Sequence, residues 1–375
     1  MISTINGNYK RKKKILITGV TGQDGSNLVE YLLTLNEDII IYGTLRSDKK
    51  LNHTHIKKFI SNPIFIPIFL DLYNHSNTRK IFSSIKPDYF FNCAAQSVVN
   101  QNKNMDSINT MMINTMAPLL HLELIREYNN KCRYFSCGSC EEFGDIKYTP
   151  QDLNHPYNPI NIYGISKHTT HNLIKYYRDN YNIFCCHAIL YNHEGIKRGK
   201  NFVTRKITSE VAKIKLSIDN NIPPKPLLVG NIYSKRDWSD SSDFVTAFWK
   251  ILNQDKANDY ILSSGEAHSV KEFIDYAFEV VGINIKWNID NENPFNNKAY
   301  YQDLLLVKCD QKYYRKNDVS INRNFEGNNM LTRKQLDWTP RITFKNLIKK
   351  MVMNDVELLK PKLKKLLNLN QNYLI

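Results

Sequence analysis

The 375-residue sequence has no long apolar run. Its longest clean stretch, residues 64–70, falls far short of the ~18 residues that a membrane-spanning helix needs. Residues 1–14 are basic with no apolar segment behind them, so no secretory signal is expected. Glycine (14) and proline (13) are too few for a collagen-like or low-complexity chain, and 42% hydrophobic residues supply an ordinary globular core. Acidic residues are the scarcer sign, with 36 Asp and Glu against 51 Lys and Arg, a net charge of +15. That surplus suits anionic partners, but no aromatic-and-basic motif accompanies it, so nucleic acid is not expected. The basic residues are scattered except for Lys10–Lys14, read as a solvated tail ahead of a strand. Seven cysteines, an odd number, suggest reduced thiols and a cytoplasmic protein. Cys137 and Cys140 have the spacing of half a zinc site, but no second pair completes it, so no metal is expected.

What is present is alternation. Apolar runs at residues 14–18, 38–44, 64–70, 89–95, 133–137 and 183–190 read as strands. Between them, residues 27–35, 78–85, 109–126 and 163–181 carry helical spacing. Nearly all-apolar strands separated by helices predict a parallel sheet covered on both faces. The second half is less regular. Helices are expected at 203–218, 243–252, 270–281 and from about 344, a short strand at 226–229, and a loop or lid over the Asn-rich stretch 290–300. The expected fold is α/β: a Rossmann-type doubly wound parallel sheet with a smaller mixed α/β C-terminal substrate domain. The expected boundaries are a basic tail at 1–13, a nucleotide-binding domain at 14–200 to which 227–262 partly returns, and a second domain at 201–375.

Two motifs carry chemistry. The first strand runs into Gly19-Val20-Thr21-Gly22-Gln23-Asp24-Gly25, a G-x-x-G-x-x-G turn that opens a helix. Such glycines allow a tight turn and bring backbone N–H groups and a helix N-terminus up to a pyrophosphate. The second strand ends at Arg46 with no acid before Asp48, which favours NADP over NAD. Asp71-Leu72, after the third strand, suits either an adenine contact or a turn cap. The other motif is Tyr163-x-x-x-Lys167. At i and i+4 the two side chains share one helix face, so the ammonium can lower the phenol pKa and prepare a base for a hydroxyl proton. Ser139, after the fifth strand, could hold the same substrate oxygen.

These motifs resemble the extended short-chain dehydrogenase/reductase family. Residues 16–26, Asn92-Cys93-Ala94-Ala95-Gln96-Ser97, Asn192-His193-Glu194, Phe202-Val203-Thr204-Arg205-Lys206-Ile207 and Arg236-Asp237-Trp238 narrow the likeness to the GDP-mannose 4,6-dehydratase group, over about residues 14–359. The resemblance implies a lyase that oxidises the sugar at C4, removes water across C5 and C6, and returns the hydride to C6. Catalytic roles fall to Ser139, Glu141, Tyr163 and Lys167. The Glu141 carboxylate, absent from simple epimerases of this fold, argues for the elimination. Cofactor contacts fall to Gly19, Thr21, Gly22, Gln23, Asp24, Gly25, Arg46, Asp71, Leu72, Ala94, Gln96, Tyr163, Lys167 and His193.

For the substrate, the resemblance implies Asn192 on a phosphate or sugar hydroxyl, and Val203, Arg205 and Lys206 toward the guanine end. Arg236 and Arg315 would clamp the pyrophosphate, and Asp318 would meet the ribose. Departures fall at Val98, at Arg46-Ser47 (one Arg where the group has two) and at Pro159-Ile160-Asn161-Ile162; they touch the sugar and the assembly, leaving a homodimer or homotetramer and a hexose or heptose open. An epimerase or reductase of the same fold, or a catalytically inactive nucleotide binder, is the alternative reading.

Overall fold

The computed structural model describes residues 11–46, 55–97, 106–314 and 324–372. They form two compact units. One takes the chain up to Asp145, then Pro156–Leu190 and Val245–Tyr260; the other takes Ile146–His155, Tyr191–Phe244 and the chain from Ile261.

The first unit is built on a seven-stranded sheet. Its strands in chain order are β1 (Lys13–Thr18), β2 (Ile39–Leu45), β3 (Phe65–Phe69), β4 (Tyr89–Asn92), β5 (Arg133–Cys137) and β6 (Cys185–Leu190), with an edge strand at Asp259–Leu262. In space the order is edge strand, β6, β5, β4, β1, β2, β3. Every pairing from β3 across to β6 is parallel. Helices α1 (Gln23–Leu32), α2 (His75–Ile85), α3 (Ser107–Met111), α4 (Ala117–Tyr128) and α5 (Ile162–Tyr181) make the crossovers. The winding reverses between β1 and β4, where open α/β sheets bind ligands beyond their strand ends.

The strands are apolar on both faces because both are covered. Leu16, Phe90 and Tyr134 pack with Leu122, Ile125, Ile174 and Tyr177. Phe91 and Phe135, pointing the opposite way, meet Trp249 and Phe248. His121 is fully buried beside Tyr134; burial pushes its pKa down to about 3, as suits a neutral core residue.

Boundaries shift in ways the packing explains. Helix α1 begins at Gln23, four residues before the apolar spacing starts, because the glycine loop turns directly into it. Strand β4 stops at Asn92, since Ala94 lies under the turn at Gly19. The helix expected at 109–126 runs from Ser107 to Tyr128, with a π-helical turn at Met112–Met116. The expected tail is partly structure: Lys13 opens β1 and pairs with Glu37, Arg11 pairs with Asp88, and Lys14 donates to the Asp88 carboxylate through N–H and to Ile85 O through Nζ.

The second unit holds a three-stranded sheet (Ala267–Ser269, Lys235–Asp240, Asn192–Glu194) and a four-stranded one (Lys286–Asn288, Lys298–Tyr301, Leu304–Cys309, Leu227–Val229). Helices Val203–Asp219, Val270–Val280 and Phe344–Asn372 supply its core through Ile207, Val211, Phe273, Phe278, Leu347 and Met351. The stretch expected as loop or lid ends in the strand Lys298–Tyr301.

Candidate active site

The glycine loop is shaped by close approach. Gly19 sits at φ +72°, and a Cβ there would lie 2.8 Å from the backbone of Ala94. A Cβ on Gly25 would lie 2.5 Å from Gly19 O. Only hydrogen fits at either position, which lets α1 and the end of β4 close on the turn. Gly22 is the N-cap of α1 and no side chain caps it. A main-chain loop with no Cβ in the way, leading to a helix start without a side-chain cap, fits a pyrophosphate. Thr18 donates to Asn92 Oδ1 at 2.7 Å and accepts the Ala94 N–H at 3.2 Å, so the ends of β1 and β4 are locked together. Gln96 is held from both sides by Asn114 in the π-turn.

The remaining cofactor candidates line the same edge. Thr21 and Asp24 are half-buried, and Gln23 is buried with its amide 3.3 Å from Asp24 Oδ1. Arg46 is exposed just beyond β2. Asp71 is exposed, and its carboxylate accepts the Tyr73 N–H at 3.1 Å, the turn cap that was the competing reading; Leu72 beside it is half-buried.

The four catalytic candidates meet where β5 ends and α5 begins. Asn161 is the hinge of the arrangement. Its Oδ1 accepts the Gly164 N–H at 2.8 Å and so caps α5, while its Nδ2 donates to Glu141 Oε2 at 2.8 Å. Glu141 is thereby tied two residues from Tyr163. Gly164 makes this possible, because a Cβ there would lie 2.4 Å from Glu141 O. Ser139 caps a short 3-10 turn, Cys140–Glu142, and its Oγ accepts the Glu141 N–H at 3.2 Å. Tyr163 is half-buried with Lys167 Nζ 5.9 Å from its ring centre. Lys167 is buried and donates to Cys137 O at 2.7 Å; burial pushes its pKa down. An ammonium fixed by β5 and displayed along the phenol stabilises a phenolate.

Behind this loop lies a buried charged cluster. Glu142 is fully buried. Its Oε1 accepts the Ser139 N–H at 2.8 Å and meets His187 Nε2 at 3.0 Å, while its Oε2 meets His171 Nδ1 at 3.2 Å. The other nitrogen of His171 lies 3.2 Å from Asp259, which also pairs with Arg178 at 2.5 Å. Burial pushes the Glu142 carboxyl up, but the two imidazoles outweigh it and hold the pKa well below the usual range. For His171 burial acts downward, and the two facing carboxylates raise it to about 9. Glu142, His171 and His187 bring ligand-type atoms within 4.8 Å of one another. The two rings, however, stack face to face (centres 4.4 Å apart, 11° between planes), so their lone pairs do not converge on one point as metal ligands must. A Cβ on Gly138 would lie 2.3 Å from His187 Nε2 and 2.6 Å from Glu142 Oε1, so the cluster fills the space beside that glycine.

The second unit carries the substrate candidates. Asn192 and His193 are half-buried on the strand beside Trp238 and Ser239, and His193 stacks on Phe244. Val203 is exposed at the start of its helix. Arg205 is 7% exposed and ion-paired with Asp355 of the last helix, so it joins two helices rather than facing solvent. Lys206 lies half-buried over the Tyr313 ring at 3.3 Å, and burial lowers its pKa. Arg236 is half-buried on Lys235–Asp240 with its guanidinium 5.2 Å from the Phe325 ring. Arg315, Asp318 and Val98 lie outside the described residues.

Three features of the first unit escaped the sequence reading. Asn161 had a signal, an Asn just before a helical run, but it stood out only as a departure. Asn114 is hidden in the π-turn. Glu142 has no expected role from sequence, and nothing local links it to His171, 29 residues on.

Solved structures share the fold of this chain. A dTDP-glucose 4,6-dehydratase from Bacillus anthracis in complex with NAD matches with a TM-score of 0.73 and 17% identity, covering 93% of this chain and 98% of that one. RMD from Pseudomonas aeruginosa complexed with NADPH matches at 0.70 and 19%, covering 92% and 100%. The fold is therefore that of dinucleotide-binding enzymes of the nucleotide-sugar dehydratase and epimerase type. A family model described as GDP-mannose 4,6 dehydratase matches residues 16–351. GDP-mannose 4,6 dehydratase 1 of Arabidopsis thaliana is 34% identical over 370 residues, 95% of this chain and 94% of the relative. The chain belongs to the GDP-mannose 4,6 dehydratase family.

Proposed function

We propose that this protein is an NADP-dependent lyase that converts GDP-mannose, or a closely related GDP-sugar, to the 4-keto-6-deoxy sugar and water. Family membership supports the reaction class. The observation that carries the assignment within it is the tie from Glu141 through Asn161 to the start of α5, which holds a carboxylate beside the Tyr163–Lys167 pair.

The roles follow from the chemistry of each group. Gly19, Thr21, Gly22, Gln23, Asp24 and Gly25 would cradle the dinucleotide pyrophosphate. Arg46 would meet a 2′-phosphate, Asp71 and Leu72 the adenine, and Ala94, Gln96 and His193 the remainder. When bound, NADP+ supplies the hydride acceptor for sugar C4 and returns that hydride to C6. The Tyr163 phenolate takes the C4 hydroxyl proton, with Lys167 favouring the ionised form and the Ser139 hydroxyl holding the same oxygen. A ketone at C4 acidifies the C5 hydrogen. Glu141 takes that proton and gives it to the C6 hydroxyl, the C5–H electron pair forms the C5–C6 double bond, and the C6–O bond breaks to release water. As the hydride returns to C6, the proton held by Tyr163 goes to C5 and the phenolate is restored. In the second unit, Asn192, Val203, Lys206 and Arg236 would take the nucleotide end, with Arg315 and Asp318. Arg is suited to bidentate phosphate contact. Arg205 we assign to the fold.

The reading extends to a homodimer or homotetramer in the cytoplasm, with no nucleic-acid partner and no membrane partner. No described helix is long and apolar enough to cross a membrane. Incubation with GDP-mannose and NADP+ tests the reaction by mass spectrometry. A product lighter by one water is expected; an unchanged mass would turn the assignment toward an epimerase. Light scattering reads the assembly.

A further inference from the structure

The cluster behind the catalytic loop has a feature that packing alone does not require. One carboxylate, Glu142, accepts the Ser139 N–H on one oxygen and faces His171 on the other. His171 is fixed in turn by Asp259 on the edge strand, and Asp259 by Arg178. A continuous chain of contacts thus runs from the sheet edge, through α5, to the main chain of Ser139. The same short turn carries Glu141.

The geometry points to Glu142 and His171 as positioning residues for the Ser139–Glu141 turn, set by the contacts Asp259–His171–Glu142–Ser139 N–H. The inference rests on the catalytic roles proposed for Ser139 and Glu141. Neither Glu142 nor His171 would touch the sugar. Glu142 holds the Ser139 amide and so aims the Ser139 hydroxyl and the Glu141 carboxylate that follows it. His171 keeps Glu142 a carboxylate, the stronger acceptor for that N–H. The other groups around Glu142 act in the same sense or are neutral: His187 from β6 is a second donor, and Lys167 and His168 face it from α5. Around His171 stand Asp259, the rings of His187 and His168, and Tyr157 edge-on. With His171 removed, His187 alone would oppose burial, and the Glu142 carboxyl would shift up toward its protonated form.

That dependence gives a signature which a merely structural role would not produce. In H171N, the Glu142 carboxyl should titrate at a higher pH than in wild type, because one of its two facing imidazoles is gone. The Ser139 amide is followed by NMR in protein labelled with 15N-serine, at pH values from 5 to 8.5, beside kcat and KM. In wild type the Ser139 resonance should stay fixed across this range. In H171N it should move with pH within this range, and kcat should rise at least fivefold across the same interval with KM changed less than threefold. In E142Q the resonance should be displaced and insensitive to pH, with kcat down at least tenfold. D259N, which loosens His171 from the far side, should show a smaller shift in the same direction and serves where H171N does not fold. A Ser139 resonance that ignores pH in H171N and D259N overturns the proposal whatever the turnover. So does a stoichiometric metal in the purified wild type that is lost in E142Q. Absent wild-type turnover, by contrast, counts against the proposed reaction, and the NMR arm still decides the positioning.

Discussion

The two units bury their charge in different places. In the first unit the buried ionic groups, Lys167, Glu142, His171 and Asp259, gather around the catalytic turn and its back wall. In the second, several fasten the last helix: Arg205 pairs with Asp355, Thr208 donates to Asp355 at 2.8 Å, and Lys350 reaches Asp240 at 2.8 Å. Asp243 likewise accepts the N–H groups of Arg341 and Ile342 just before that helix. On the proposed reading, buried charge in the first unit organises the catalytic candidates, whereas in the second it largely fastens helices and loops. Variants in the two units should therefore fail differently.

The largest effect should come from Y163F, which removes the phenolate and leaves the ring. Turnover should drop by roughly 10²–10⁴-fold with an unchanged melting temperature. A variant that retains more than a tenth of activity would break the contrast. E141Q keeps the shape and the Asn161 contact. It should block water loss by roughly 10²-fold or more while C4 oxidation continues, so mass spectrometry should find sugar that has lost two hydrogens and no water.

In the second unit, D355N should leave Arg205 buried without its counter-charge. It should cost about 3 kcal/mol by urea denaturation, with kcat per folded molecule unchanged. An equal loss of kcat would show that the last helix serves the chemistry after all.

The pH dependence of stability sharpens the comparison. His171 is raised to about 9, so its stabilisation is complete below its unfolded value near ~6.5 and is lost as pH climbs through 9. Asp237, in the second unit, is pushed up to about 6 by burial, although Ser264, Gly265 and Gly327 donate to it. Its contribution is complete below about 4 and is lost as pH climbs through 6. H171N should therefore lose the fall in stability that accompanies the His171 titration near pH 9, and the denaturation series should flatten between pH 4 and 6 in D237N. The smallest effect should be R46A, which should weaken NADP binding about tenfold and leave NAD binding within twofold, read by titration.

Much of the first unit is legible in the sequence because its signals are local. The glycine loop, the Tyr163–Lys167 spacing and the apolar strands each occupy a few consecutive residues, and β5 falls at Arg133–Cys137 as its apolar run predicts. The rest depends on distance along the chain. Residues 235–240 carry no strand expectation, yet Lys235–Asp240 is the central strand of its sheet, because Asp237, Ser239 and Asp240 are buried against partners that a local pattern does not reveal. The family resemblance sets Arg205 at the guanine end, yet its buried partner Asp355 lies 150 positions downstream, beyond the reach of any local pattern. Asn161 was visible only as an oddity, although it joins the acid to the helix that carries the base.

Gly138 has a bearing on protein engineering. The volume that any side chain would need there is already taken by His187 and Glu142. Positions 138, 142 and 187 thus form one packed block. Transplanting this turn into a relative requires all three to move together, and a graft that carries only the reactive serine and acid would arrive without its foundation.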